Sequence, residues 1–275
     1  MTARTTKPEP QPSTLFRKTV TGGFLMTKTF ALMSMLATFF VISSRLLAAG
    51  PGDAPPAGKD LPKVLIIGDS ISLGYTPFVA EILKAEATVT HNKGNAGPTE
   101  HGLRDIDRWL GTTQWEVIHF NWGLHDLCYR NPESKTQGNR DKLKGTLTTS
   151  LEQYEANLEQ LVLRLKKTGA VLIWATTTVV PEGEEGRFVG DDLKYNEVAS
   201  RVMKKHGILI DDLHALTKGF GPELFREPGN VHYQPDGYKK LAEQVADRIR
   251  SGLKGRLADS PRADQAKHSE KRDRE

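Results

Sequence analysis

From residue 61 onward, short apolar runs alternate with longer stretches of helical period, and this alternation most narrows what the chain can fold into. The runs are "KVLIIG" (63–68), "ATVTH" (87–91), "EVIHFN" (116–121), "AVLIWATTTVV" (170–180) and "GILIDD" (207–212). Most are near-continuous apolar stretches, the pattern of strands buried on both faces. Among the intervening segments, "SLEQYEANLEQLVLRLKKTG" (150–169) places Leu151, Tyr154, Leu158, Leu161 and Leu165 on one helical face. Ser150 with Gln153 reads as a capping box, and Lys166 and Lys167 precede Gly169 at the other end. A last helix is expected from Pro235 to about Leu253. Strands alternating with helices imply an α/β fold: a three-layer α/β/α sandwich around a mostly parallel five-stranded sheet. In such sheets, binding groups gather where loops leave the carboxyl ends of the strands. Gly68, Asn121 and residues 177–181 stand at those ends.

The flanks differ in character. Residues 1–29 are polar and basic, and "FALMSMLATFFVI" (30–42) then runs thirteen residues without a charge. A membrane span needs about 20 apolar residues. The run instead suits the apolar region of a secretory signal peptide, with Lys28 before it and the small residues of "LLAAG" after it. Met26 offers an alternative start. Residues 1–50 are therefore read as a signal peptide, giving a secreted or periplasmic protein, with an uncleaved membrane anchor as the alternative. Residues 51–60, rich in Pro and Gly, form a linker, residues 61–253 the domain, and the charged residues 254–275 a disordered tail.

Removing the leader changes the charge argument. Residues 1–50 hold six Lys/Arg and one acid, more than the whole formal net charge of +4. The remainder is close to neutral, so the composition no longer supports a nucleic-acid partner. With Cys128 the one cysteine, no intrachain disulfide can form.

Ser70, in "KVLIIGDSISLGY" (63–75), follows a strand directly and opens a helix. Unpaired backbone N–H groups there can stabilise an alkoxide or a tetrahedral oxyanion. The structural alternative is a residue that merely caps the helix. A serine nucleophile needs a base, and His232 in "PGNVHYQPDGY" lies in a loop before the last helix. "NKGNAGPTEHGL" (92–103) is a Gly-rich loop able to present a backbone N–H. "FNWGLHD" (120–126) brings Asn121, His125 and Asp126 to the same rim. The histidines show no metal-binding spacing, so no metal or organic cofactor is expected. Trp109, Trp115 and Trp174 read as core residues.

Together these four segments, in this order, resemble the SGNH (GDSL-type) hydrolase family over about residues 61–253. "GDSIS" is similar to its first block, "NKGNAGPT" to its second, "GLHD" stands in place of the third, and "NVHYQPDGY" is similar to the last. The resemblance implies an SGNH/flavodoxin-like fold and a serine esterase, with Ser70 as nucleophile and His232 as base. It implies oxyanion donors at the N–H groups of Ser70 and Gly97. Two departures follow. His125 stands where the family has an Asn donor, with Asn121 a substitute. Gly229 stands where the triad acid belongs, leaving Asn230, Glu227 or a backbone carbonyl to orient His232. Asp236 reads as a helix-opening residue, and Asp126 as a residue fixing its loop or serving catalysis.

The expected reaction is hydrolysis of a small-molecule or carbohydrate ester, O-acetyl groups included, through an acyl-enzyme. The polar connection 127–149, with Trp122 before it, suits a sugar-bearing substrate. The competing classes are a catalytically weak carbohydrate-binding protein and an O-acyltransferase.

Overall fold

The computed structural model describes residues 61–258. The expected leader, linker and most of the charged tail lie outside those residues. Five strands, β1 (Lys63–Ile67), β2 (Thr88–His91), β3 (Val117–Phe120), β6 (Val171–Ala175) and β7 (Leu209–Asp211), form one sheet in the order β2-β1-β3-β6-β7. Every pairing in it is parallel. The apolar runs are continuous because both faces are covered: Val64 through Ile67 and all four residues of β3 are buried. Helices α1 (Ser70–Ile82) and α6 (Pro235–Ala258) pack together, while α2 (Thr99–Leu110), α3 (Leu151–Lys166) and α4 (Asp191–Lys205) pack in series as a second helical group. A short α5 (Leu213–Lys218) packs against α6. Gly74 of α1 sets one close approach, since a Cβ there would fall 2.2 Å from the Tyr238 ring of α6. Trp109, Trp115, Trp122 and Trp174 are all buried. The core position of the first, second and fourth agrees with the sequence, but Trp122 is thereby removed as a sugar platform.

The chain leaves β1 toward β2 on one side and toward β3 on the other. The carboxyl ends of β1 and β3 therefore flank the crevice where α/β sheets of this order bind ligands.

Several boundaries move for identifiable reasons. The run 170–180 is strand only to Ala175. Beyond Thr176, backbone N–H groups go to side chains instead of a strand: Thr177 to Asn196 Oδ1, Val179 to Thr217 Oγ1 and Val180 to Asp192 Oδ2. At the start of α3, Ser150 Oγ accepts from the Gln153 N–H, but the Gln153 amide donates to Asn157. Only half of the capping box forms. Helix α6 continues five residues past Leu253, so the first part of the expected tail is helical. The connection 127–149 is ordered rather than loose. It contains the antiparallel pair β4 (Tyr129–Arg130) and β5 (Thr146–Leu147), with a 3-10 turn at Gln137–Asn139. Arg140 and Lys142 pin it to Glu184.

Candidate active site

Asp69, not Ser70, caps α1. Its backbone is extended, and its carboxylate accepts from the Ile71 N–H at 2.9 Å. Ser70 is thereby the first residue of the helix, with its hydroxyl free to turn outward. Its N–H belongs to the first turn, whose amides have no intrahelical acceptor. Two hydrogen bonds clamp the second block to this turn: the Gly68 N–H donates to Asn92 Oδ1, and the Ala96 N–H to the Gly68 carbonyl.

Ser70 and His232, 162 residues apart, meet at the rim. Ser70 Oγ lies 2.8 Å from His232 Nε2. His232 Nδ1 lies 2.7 Å from Asn230 Oδ1, which also accepts the His232 backbone N–H at 2.9 Å. The Asn230 amide donates to Glu227 Oε1 at 2.8 Å, and this bond orients the Asn230 oxygen toward the histidine. A carboxamide oxygen can only accept, so Nδ1 carries the hydrogen and Nε2 is left as the acceptor for the serine hydroxyl. Glu227 acts one step behind, through Asn230. No side chain could fill the family's acid position: Gly229 has φ +74°, and a Cβ there would lie 2.7 Å from the Gly183 carbonyl oxygen. Burial lowers the His232 pKa below its ordinary 6.5, with Arg187, Arg226 and Arg140 lowering it further against the opposing charge of Asp69.

The remaining oxyanion donors need correction. The Gly97 N–H is engaged by Asn95 Oδ1 at 2.8 Å, so it is committed within its own turn. Asn95 itself lines the cavity beside Ser70 and retains its side-chain N–H groups as donors. Nothing in the Gly-rich motif singled it out. Asn121 points away: its amide donates to the Ala175 carbonyl at 2.8 Å and to Thr177 Oγ1 at 3.3 Å, tying β3 to β6. His125 does line the cavity with Ser70. Arg130 donates to its Nδ1 at 3.3 Å, which places the ring hydrogen on Nε2. Burial pushes its pKa down to about 4, helped by repulsion from Arg187 and Arg130 against the pull of Asp69. His125 is thus a neutral donor near neutral pH.

Asp126 is buried and accepts from the N–H and hydroxyl of Thr99 at 2.9 and 2.6 Å. It fastens the start of α2 to the third-block segment and does not line the cavity. Burial raises its pKa to about 7 despite those bonds. Asp236 is exposed and pairs with Lys239 at the start of α6. The cavity beside Ser70 has a volume of about 190 Å³. Arg130, Gln137, Arg140 and Arg187 also line it. The first three come from the polar connection 127–149 that the sequence assigned to the substrate as a segment, whereas Arg187 was not singled out.

A sequence profile described as "GDSL-like Lipase/Acylhydrolase family" matches residues 66–240. Among solved structures, the chain is similar to an acetyl xylan esterase, AlAXEase, at 17% identity and TM-score 0.54, covering 68% of this chain and 99% of the other. It is similar to a lipase/acylhydrolase from Enterococcus faecalis at 18% identity and TM-score 0.57, covering 70% and 96%. A catalytic mutant of an acetylxylan esterase from Geobacillus stearothermophilus aligns at 19% identity and TM-score 0.54, covering 68% and 94%. No curated protein matches the chain significantly.

Proposed function

The chain belongs to the GDSL-like lipase/acylhydrolase family and is a hydrolase acting on ester bonds; from this premise we propose that it is an exported serine esterase using Ser70, His232 and Asn230. The observation that carries the reading is the continuous chain Ser70 Oγ–His232 Nε2 at 2.8 Å and His232 Nδ1–Asn230 Oδ1 at 2.7 Å.

In the proposed reaction, His232 Nε2 takes the Ser70 hydroxyl proton as Oγ attacks the ester carbonyl. The oxyanion that forms is met by the Ser70 N–H, by His125 Nε2–H and by the Asn95 side-chain amide. His232 then returns the proton to the leaving alcohol. Water repeats the sequence on the acyl-enzyme and frees the acid. Asn230 keeps His232 in the tautomer that this cycle requires. Replacing a triad Asp by Asn can cost about 10⁴ in rate where the substitution enforces the wrong tautomer. Here the Glu227 contact turns the amide oxygen toward His232, which avoids that fault. What a neutral amide does not supply is charge opposite the imidazolium, so a slower enzyme than one with a carboxylate is expected.

For the substrate, the support is the small cavity and the acetyl xylan esterases among the structural relatives. We assign a short acyl group, acetyl above all, on a polar or carbohydrate alcohol. Export rests on the leader, and sequencing the N-terminus of the protein recovered from the host's periplasm or medium tests it. The catalytic reading is tested with p-nitrophenyl acetate and acetylated xylooligosaccharides, wild type beside Ser70→Ala, together with labelling by a serine-reactive organophosphonate. Ser70-dependent acetate release and labelling are expected. An inert, unlabelled wild type would favour the carbohydrate-binding reading, for which the neutral residue beside His232 is the specific observation. Acyl transfer to an added alcohol without net hydrolysis would favour the acyltransferase.

A further inference from the structure

Three guanidinium groups face the cavity that contains Ser70, and their pairing is unequal. Arg187 is buried, bonding Glu184 Oε1 at 2.7 Å and the Leu124 carbonyl through Nε at the same distance. Arg140 shares that Glu184 oxygen at 2.9 Å and meets the exposed Glu185 at 3.5 Å. Arg130 is half-buried and forms no ion pair among the described residues. Its two contacts, the Gly138 carbonyl and His125 Nδ1, are neutral acceptors. They engage one hydrogen on each of two terminal nitrogens, leaving three of the five guanidinium donors.

A cation held in a partly buried wall without a counter-ion loses hydration and gains no charge partner. The same fold supplies carboxylates to Arg140 and Arg187, so among the described residues Arg130 alone of these three cavity-lining arginines lacks one. The field is felt locally. Besides burial, Arg130 and Arg187 lower the His125 pKa, and Arg187 and Arg140 lower that of His232. A planar guanidinium with three free donors is suited to a carboxylate ligand.

We propose that Arg130 is the anchor for a carboxylate carried by the substrate, making the natural ester an anionic one, such as the acyl ester of an acidic sugar or of a hydroxy acid. The cavity volume of about 190 Å³ lies below that of pockets for drug-sized ligands, so carboxylate and scissile ester belong to one small unit. This inference rests on the esterase reading above and narrows its substrate class.

The test compares isosteric pairs differing in one charge. 4-Acetoxybenzoate is set against 4-acetoxybenzamide, with the anion on the alcohol side. The p-nitrophenyl monoester of glutaric acid is set against the p-nitrophenyl ester of glutaramic acid, with the anion on the acyl side. Uncatalysed rates are subtracted. At least one anionic ester should be favoured in kcat/KM by roughly ten- to a hundredfold, as a charge-assisted contact provides. That ratio should collapse toward one in Arg130→Gln, recover in part in Arg130→Lys and shrink with added salt. Ratios near one for both pairs, or ratios unaffected by Arg130→Gln, overturn the proposal. Binding of 4-hydroxybenzoate and 4-hydroxybenzamide to Ser70→Ala, followed by calorimetry, supplies a readout that needs no turnover. Equal affinities there, with no acyl-side preference in kcat/KM, also overturn it. If neutral esters are cleaved through Ser70 without a charge preference, only this inference fails. If no ester is cleaved through Ser70, the esterase mechanism fails, and calorimetry alone decides whether the anion site exists.

Discussion

Helix α1 carries two serines two positions apart, and each lies against a histidine. Ser70 Oγ is 2.8 Å from His232 Nε2, and Ser72 Oγ is 2.7 Å from His91 Nε2. By distance the two pairs are equivalent. Their surroundings are not. Ser72 is buried, and its single hydroxyl hydrogen is contended for by His91 and by the Asp69 carbonyl at 2.8 Å. His91 Nδ1 is taken up by the Asn92 carbonyl, and the space beside Ser72 amounts to about 10 Å³. That is room for about one water and no substrate. Ser70 instead faces about 190 Å³ of cavity, beside the free amides of a helix N-terminus. A serine–histidine contact therefore does not define a nucleophile; access and oxyanion donors do.

The largest expected effect breaks the two pairs apart. Ser70→Ala and His232→Ala should each lower kcat/KM on p-nitrophenyl acetate by about 10³-fold or more, with little change in melting temperature. Ser72→Ala should do the reverse, retaining most activity while losing about 1–3 kcal/mol of stability in a denaturant titration. Equal loss of activity in folded Ser72→Ala and Ser70→Ala would undo the contrast.

A smaller effect concerns what holds His232. Asn230→Ala should reduce kcat by about tenfold or more, as the ring loses its tautomer lock. Asn230→Asp alone places a second carboxylate against Glu227, so the informative variant is Asn230→Asp with Glu227→Gln. That pair should raise kcat several-fold and move the acid limb of the pH profile upward, because an adjacent carboxylate stabilises the imidazolium. An unchanged limb would mean that position 230 does not address the histidine.

In the wild type, burial and the nearby arginines lower the His232 pKa, and the base must be neutral to act. The acid limb of kcat/KM should therefore have its midpoint below 6.5. A midpoint above that value would contradict the environment described.

The smallest effect lies beneath the site. Asp126 is raised from 3.8 to about 7, so the folded state binds its proton more tightly than the unfolded chain does. Its contribution to stability is full below the unfolded value and is lost as pH rises through about 7. Asp126→Asn should flatten the stability difference between pH 6 and 8 by on the order of 1 kcal/mol. The same slope in both proteins would reject the assignment.

Much of the fold was legible because it is written locally. Consecutive apolar residues in 63–67 and 117–120 need two covered faces, and a serine directly after a strand lands at a helix start whatever surrounds it. Ser70 was placed in this way, whereas the roles of His232 and His125 came from the resemblance of the four segments. Asn95 was hidden because it sits next to Gly97 in a turn, and only the Asx contact shows that the glycine's N–H is occupied. Asn121 misled because a polar residue at a strand end reads the same whether it faces the rim or the next strand. In sequence, Arg130 and Arg140 are undistinguished members of the polar connection 127–149, and Arg187 looks like solvated charge. They become a cavity wall only because Glu184, 44 positions after Arg140, gathers two of them.

By itself the sequence determined the strands, the helix that presents Ser70 and the absence of an acid three residues before His232, since each depends on residue type and short-range period. The tertiary structure alone decided that Asn230 faces His232 and that Glu227 orients it. It also decided that Ser72 is walled in while Ser70 is open, and that one arginine of the cavity wall has no counter-ion among the described residues. Those outcomes depend on which distant side chains compete for each donor and acceptor, a competition that no local pattern records.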